Sequence, residues 1–192
     1  RVAVFGLLGG LALGTTWLYI GNMGLLTAVV FQLSALIIFV GLARIISQAG
    51  LAYCRAPVAP AVFTVNTLGS SVVGPSGLTA LALNFPWSAD IRTFVMASAA
   101  TGLKLAEVTR LEHRRLFWAI AIAIGATFTG SAITVLYLAY AHGGINLGGW
   151  QFGGMTNYTG NWIVRNINSP EPVHIWHLSF AGLGAALMGL LT

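Results

Sequence analysis

Four long apolar runs dominate the chain, at residues 2–20, 25–46, 116–140 and 175–192. Each run approaches or exceeds the roughly 20 residues that a helix needs to cross the hydrocarbon core of a bilayer. The runs are continuous, whereas a transmembrane β-barrel shows short segments in which apolar and polar residues alternate. The pattern therefore predicts an all-α, polytopic transmembrane helical bundle.

A fifth region, residues 57–103, is also apolar but is repeatedly interrupted. It contains the sequence Gly74-Pro75-Ser76-Gly77 inside an otherwise membrane-like stretch. Non-helical backbone occurs at membrane depth only where protein buries it or a wet cavity borders it. The pattern predicts a discontinuous helix or a re-entrant hairpin over 57–84, with a short loop between two ordinary full crossings as the alternative.

Charge distinguishes the two longer connections between the predicted spans. Residues 104–115 carry six of the chain's thirteen charged residues, and such a concentration is typical of a cytoplasmic connection under the positive-inside rule. Residues 142–174 are rich in Gly and Asn, and their only charged residues are Arg165 and Glu171. We expect this second connection to be an external loop, with a short interfacial helix near 162–166.

Composition supports the membrane assignment and excludes other classes. The chain is 57% hydrophobic and 7% charged, whereas soluble domains carry roughly 25% charged residues. The net charge of +5 raises nucleic acid as a partner, but most basic residues lie at the ends of apolar runs. We therefore expect a lipid bilayer as partner and no nucleic acid. The single cysteine excludes an intrachain disulfide framework.

The chain begins at Arg1 and ends at Thr192, and an apolar run reaches each end. We interpret the sequence as a transmembrane piece of a longer protein. The remaining spans of that protein are then expected partners.

Catalytic and metal-binding patterns are sparse. His174 and His177 are three residues apart and could share a metal, but a site needs a third ligand, and Glu171 is followed by a proline. Capping near a helix start is the alternative for these histidines, and we favour it. No catalytic triad, metalloprotease motif or phosphate loop is present, so we predict no enzyme, no metal and no cofactor.

Polar residues in and beside the interrupted region are the candidates for function, because burying them in a membrane is costly. Breaks in membrane helices also mark transporter binding sites. The alternative for each residue is helix capping or packing of the broken backbone. The predicted substrate-pathway residues are Gln48, Arg55, Asn66, Ser70, Ser71, Gly74 and Ser76.

Seven segments of the chain resemble an uncharacterised bacterial polytopic membrane family, a domain of unknown function related to oligopeptide transporters, and the resemblance extends over nearly all of residues 36–192. These segments are ARIISQAGLAY (43–53), RAPVAP (55–60), LGSS (68–71), DIR (90–92), AHG (141–143), GGW (148–150) and NSPEP (168–172).

The resemblance implies a transporter-like fold in a bacterial inner membrane, but it transfers a class of protein and not a set of site residues. We therefore expect part of a secondary transporter that moves a small solute, such as a peptide or a metal chelate, by alternating access. A structural or scaffold subunit of a membrane complex is the alternative. An intramembrane enzyme is disfavoured because paired catalytic residues are lacking.

Overall fold

The computed structural model describes residues 2–51, 56, 58–89, 95–110, 112–147 and 149–190. These residues form helices joined by short connections, and no strand occurs among them. The helices are α1 (Val2–Ile20), α2 (Leu25–Ala49), α3 (Pro60–Leu68), α4 (Ser70–Ala89), α5 (Val95–Thr109), α6 (His113–His142), α7 (Met155–Asn168) and α8 (Ile175–Leu190). The predicted all-α class is thereby confirmed.

Two of these helices, α2 and α6, are long and apolar enough to cross a membrane. They contain the runs predicted at 25–46 and 116–140, and both extend a few residues further into polar sequence. Within the described residues, the runs at 2–20 and 175–192 correspond to the apolar helices α1 (Val2–Ile20) and α8 (Ile175–Leu190). Continuous apolar sequence thus locates all four of these helices.

The interrupted region contains two breaks in the described backbone. Gly69 separates α3 from α4 and has φ +80°, and Gly74 lies within α4 with φ +69° and ψ 168°. The second combination is essentially restricted to glycine. Pro75 follows Gly74 directly, and its fixed φ and missing N–H suit the first position of the renewed helix. The discontinuous helix expected from the sequence is therefore present.

The segment predicted as an external loop is largely helical, which corrects that prediction in its second half. A 3₁₀ turn (Gly144–Asn146) and a single π-helical turn (Trp150–Gly154) precede α7, which spans 14 residues. Trp162 packs against a hydrophobic core and Asn166, one turn later, is buried. The expected interfacial helix at 162–166 is thus the second half of a longer helix held by packing.

The chain divides into two compact units. The first unit comprises Arg1–Ile38, Ala56–Asp90 and Thr159–Thr192. Its core is built from apolar residues of α1 to α4, and Phe31, Leu78 and Leu81 are among its most buried members. The Phe31 ring also meets Trp87 edge-on at a centroid distance of 5.6 Å. This core holds the two helix breaks in place.

The second unit comprises Phe39–Arg55 and Ile91–Tyr158. In it, the Lys104 ammonium donates a hydrogen bond to the Ser47 carbonyl near the end of α2, at 2.5 Å. A cation suits that position because the last carbonyls of a helix lack intrahelical partners. Arg110 directly follows α5 and has a left-handed conformation with φ 55°, which costs a non-glycine residue about 1–2 kcal/mol.

Candidate functional site

The break between α3 and α4 interrupts the helical hydrogen-bond ladder at Gly69. In a continuous helix the Ser70 N–H would donate to the Asn66 carbonyl. Here the Ser70 N–H donates to the Glu171 carbonyl at 3.0 Å, and the Asn66 carbonyl accepts from the His174 N–H at 3.0 Å. Both separated partners are therefore satisfied by one segment about a hundred residues away in sequence. We name residues 171–174 the clasp and residues 66–74 the break.

The local sequence explains why the clasp can do this. Glu171 lies between Pro170 and Pro172, which cannot donate backbone hydrogen bonds and which favour extended backbone in the residue before them. The Glu171 N–H is thus the donor at this point, and it bonds to the Ser70 Oγ at 2.6 Å. The Ser70 hydroxyl in turn donates to the Glu171 carbonyl at 3.3 Å. Ser70 is therefore bound to Glu171 through its backbone and through its side chain.

Gly69 lies against the clasp, and its backbone conformation is what favours glycine there. A Cβ placed on Gly69 would lie 3.4 Å from the Glu171 carbonyl oxygen and 3.6 Å from the Val173 side chain. Its positive φ already disfavours other residues. At Gly74 no atom lies within 4 Å of the corresponding Cβ position. Glycine is therefore favoured at both positions by the backbone angles.

Charge in the first unit is concentrated at the clasp. Within the described residues of that unit, the side chains of charged or imidazole type are Arg165, Glu171, His174 and His177. The Glu171 carboxylate lies 3.5 Å from the Arg165 guanidinium and 4.0 Å from His174 Nε2. The His174 and His177 rings stack with centroids 4.9 Å apart. The four groups therefore form one cluster at the break.

The two histidines stand at the start of α8. The His174 carbonyl accepts a hydrogen bond from the Leu178 N–H at 3.2 Å, so His174 occupies the capping position. The position of His174 is consistent with the capping role that the sequence favours, although the bond is made by its backbone carbonyl. Among the described residues, no three His, Cys, Asp or Glu side chains are placed to hold a metal ion.

Asn166 adds a buried polar group beside Arg165 on α7. It is 2% exposed, and its amide nitrogen donates to the Trp162 carbonyl at 2.9 Å. Its Oδ1 is buried and has no hydrogen-bond partner in the part of the chain that the structure describes. A buried acceptor of this kind costs about 1–3 kcal/mol unless a donor reaches it.

The structure places some of the predicted pathway residues together at the break. Asn66 and Ser70 are held directly by the clasp, and Gly74 forms the second break. Ser71 and Ser76 are exposed on α4.

Two other predicted residues lie elsewhere. Gln48 belongs to the second unit, where it is exposed near the end of α2. Arg55 lies outside the described residues.

Sequence reasoning did not include the clasp in the candidate site. It treated Arg165 and Glu171 as loop charges, and it treated His174 as a cap. One signal in the sequence could have pointed to the clasp, because Arg165 and Glu171 are ionisable residues in a stretch that is otherwise uncharged. The pairing itself has no local signature, since 101 positions separate Ser70 from Glu171.

Replacing Ser70 with alanine should destabilise the protein by about 1–3 kcal/mol, because the Glu171 N–H would lose its acceptor in a part-buried position. Ser71→Ala is the matched control, since Ser71 is the adjacent residue and is exposed. Denaturant titration of the two purified variants in detergent measures the difference. Equal stabilities would show that the side-chain bonds of Ser70 contribute nothing to the clasp.

Taken together, the described helices define an all-α protein with two helices long and apolar enough to cross a membrane, and with a clasped helix break. A family model extends over residues 1–192, and its description is a family of unknown function, DUF6785. The chain belongs to that family. No curated protein and no solved structure matches the chain.

Proposed function

We propose that the chain is part of an integral membrane protein that acts as a secondary transporter for a small solute. The break lines the solute pathway in this proposal. The resemblance noted in the sequence adds the oligopeptide-transporter type, a peptide or metal chelate as solute, and the bacterial inner membrane as location.

The displaced hydrogen-bond rung between Asn66 and Ser70 carries this proposal. An interrupted helix in an apolar protein is costly unless its freed backbone groups find partners. Here a distant segment supplies those partners, so the interruption is stabilised by tertiary contacts. Discontinuous helices whose freed backbone groups face a cavity are the usual binding sites of secondary transporters.

The charged cluster supports the same location. Ionisable groups in membrane proteins usually border substrate or ion pathways, because they are costly in lipid. In the first unit the cluster of Arg165, Glu171, His174 and His177 adjoins the break. A peptide or a chelate carries groups of both signs, and a site with a guanidinium, a carboxylate and imidazoles offers a complement to each.

Alternating access requires bonds that can be exchanged. A hydrogen bond contributes only about 0.5–1.5 kcal/mol net, because its groups can bond to water or to a ligand instead. The bonds between the clasp and the break are few and have this character. In the proposed mechanism the clasp releases the Asn66 carbonyl and the Ser70 N–H, which then bind groups of the solute.

Thiol accessibility tests whether water reaches the break. In the full-length protein with Cys54→Ser, we expect Ser71→Cys and Ser76→Cys to react with a membrane-impermeant thiol reagent in proteoliposomes. Ser131→Cys on α6 is the matched control, since Ser131 is equally exposed in the structure but lies mid-helix in an apolar span. The control should stay unreactive because lipid would surround it.

Protection at positions 71 and 76 equal to that at 131 would contradict the pathway. Reaction at all three positions would instead contradict the placement of α6 in lipid.

Solute uptake tests transport itself. Liposomes containing the full-length protein would be incubated with a defined mixture of tripeptides and tetrapeptides, and with ferric citrate. Mass spectrometry and iron analysis of the lumen should show accumulation above that in protein-free liposomes. Absence of uptake for every probe, with the protein folded and inserted, would count against the proposed solute classes.

One observation favours the scaffold alternative. The apolar window of α6 has none of its residues buried within the described chain. A scaffold subunit would cover this helix with a partner protein. In that case Ser131→Cys would crosslink to partner subunits in native membranes, and positions 71 and 76 would be protected.

A further inference from the structure

The N-terminal end of α6 carries a group of basic residues that the proposed transport site does not use. Arg110, Arg114 and Arg115 flank the connection between α5 and α6, and we name these three the basic collar. Each of them is exposed. We propose that the basic collar is a binding site for anionic phospholipid headgroups.

The aromatic residues of α6 set its depth in a bilayer. Phe117 and Trp118 lie near its start, meet edge-on at 5.7 Å and are 64% and 58% exposed. Tyr137 and Tyr140 lie near its end and are 69% and 89% exposed. Trp118 and Tyr137 are about 28 Å apart along a straight helix. This spacing matches the roughly 30 Å hydrocarbon thickness between the two aromatic belts of a membrane protein.

That depth places the basic collar among the headgroups. Arg114 and Arg115 lie about one helical turn before Trp118, on the polar side of the aromatic belt. Basic residues just outside a span attract anionic lipids, and the attraction decays within a Debye length of the surface. The chemical class of the ligand is therefore a phosphodiester headgroup with net negative charge, as in phosphatidylglycerol.

Ion pairs within the described chain involve only one of the three arginines of the basic collar. Arg115 pairs with Glu112 at 2.8 Å, and both side chains are exposed. Among the described residues, Arg110 and Arg114 have no ion-pair partner. Two guanidinium groups thus remain for a bidentate contact with a lipid phosphate.

Arg110 provides a second, independent observation. Its φ of 55° lies in the left-handed region that glycine would occupy without strain. The chain nevertheless places an arginine there, which combines a strained backbone with a cation at the foot of α6. Strained residues of this kind tend to mark functional positions.

The inference requires α6 to cross the bilayer and does not depend on transport. The full-length protein would be placed in nanodiscs of phosphatidylglycerol and phosphatidylcholine in equal amounts. Native mass spectrometry would then count the lipids of each type that stay bound. We expect a preference for phosphatidylglycerol that weakens as salt is raised, because exposed charges are screened.

Four variants separate charge from structure. Arg114→Gln and Arg110→Gln should each lower the preference about fivefold, the effect of one charge near the surface. Arg114→Lys should preserve most of the preference. Glu112→Gln should raise it, because Arg115 would be released from its ion pair.

Arg110→Gly tests the strained position separately. It should raise the Tm by about 2–4 °C while lowering the lipid preference as much as Arg110→Gln does. Such a result would show that the lipid effect is not caused by unfolding.

Three results would overturn the proposal. The first is that the unmodified protein shows no preference for phosphatidylglycerol. The second is that the glutamine variants show the same preference as the unmodified protein. The third is that glycerol 1-phosphate at equal concentration displaces the lipid. The third result would indicate a site for soluble phosphates in place of a lipid site.

Discussion

Phe31→Ala is expected to lower the free energy of unfolding by about 3 kcal/mol, the largest single effect that the structure predicts. Phe31 has 0% exposure, lies in the core of the first unit and meets Trp87 edge-on. Truncation would leave a cavity among rigid helices and remove the aromatic contact. If α2 crosses a membrane, the expected loss lies at the low end for phenylalanine, because lipid would still surround the ring in the unfolded state.

Phe128→Ala is the matched control for this prediction. Phe128 lies on α6 and is 77% exposed, so its truncation should change stability by less than about 0.5 kcal/mol. Denaturant titration in the same detergent compares the two variants. If Phe128→Ala destabilised the protein as much as Phe31→Ala, another protein surface would have to cover α6, and the core of the first unit would not be the main source of stability.

The fold was predictable where a local pattern specifies it. The runs at 25–46 and 116–140 are unbroken apolar sequence, and α2 and α6 contain them. The Gly-Pro sequence at 74–75 similarly predicts an interruption, because proline cannot continue a hydrogen-bond ladder and glycine can adopt positive φ. Gly74 indeed has φ +69°.

The break at Gly69 and its clasp were harder to predict for a physical reason. A lone glycine in a strongly apolar helix is commonly tolerated, so Gly69 gives a weak signal. The hydrogen-bond partners that stabilise the interruption belong to residues 171–174. Their bonds to Asn66 and Ser70 are mostly backbone bonds. Backbone groups are present in every residue, so sequence carries little information about which of them will meet.

Helix α7 was only partly predicted because its stabilisation is also tertiary. Its sequence contains Gly160 and several asparagines, which have low helix propensity. Packing of Trp162 against the core outweighs that propensity. The site follows the same rule, since Asn66 and Ser70 were predicted from their location but Glu171 and His174 join them only through the tertiary fold.

Gly74→Ala tests the second break, and it should destabilise the protein by about 1–3 kcal/mol. The cause would be backbone strain alone, because the new methyl group would enter open space. Gly125→Ala is the matched control, since its Cβ position is equally open and it lies inside the regular helix α6. Alanine should there be neutral or stabilising by up to about 1 kcal/mol. Thermal unfolding in detergent should therefore show a lower Tm for Gly74→Ala and an unchanged or higher Tm for Gly125→Ala.

The same pair of variants links the break to function under the transport proposal. Alanine at position 74 favours ordinary helical angles, so it should shift α4 towards a continuous helix and lower solute uptake by more than the loss of folded protein explains. Uptake is therefore normalised to the amount of folded protein, and Gly125→Ala should transport normally. Unchanged normalised uptake in Gly74→Ala, despite the expected destabilisation, would assign the glycine a purely structural role. The solute pathway would then have to avoid this part of α4.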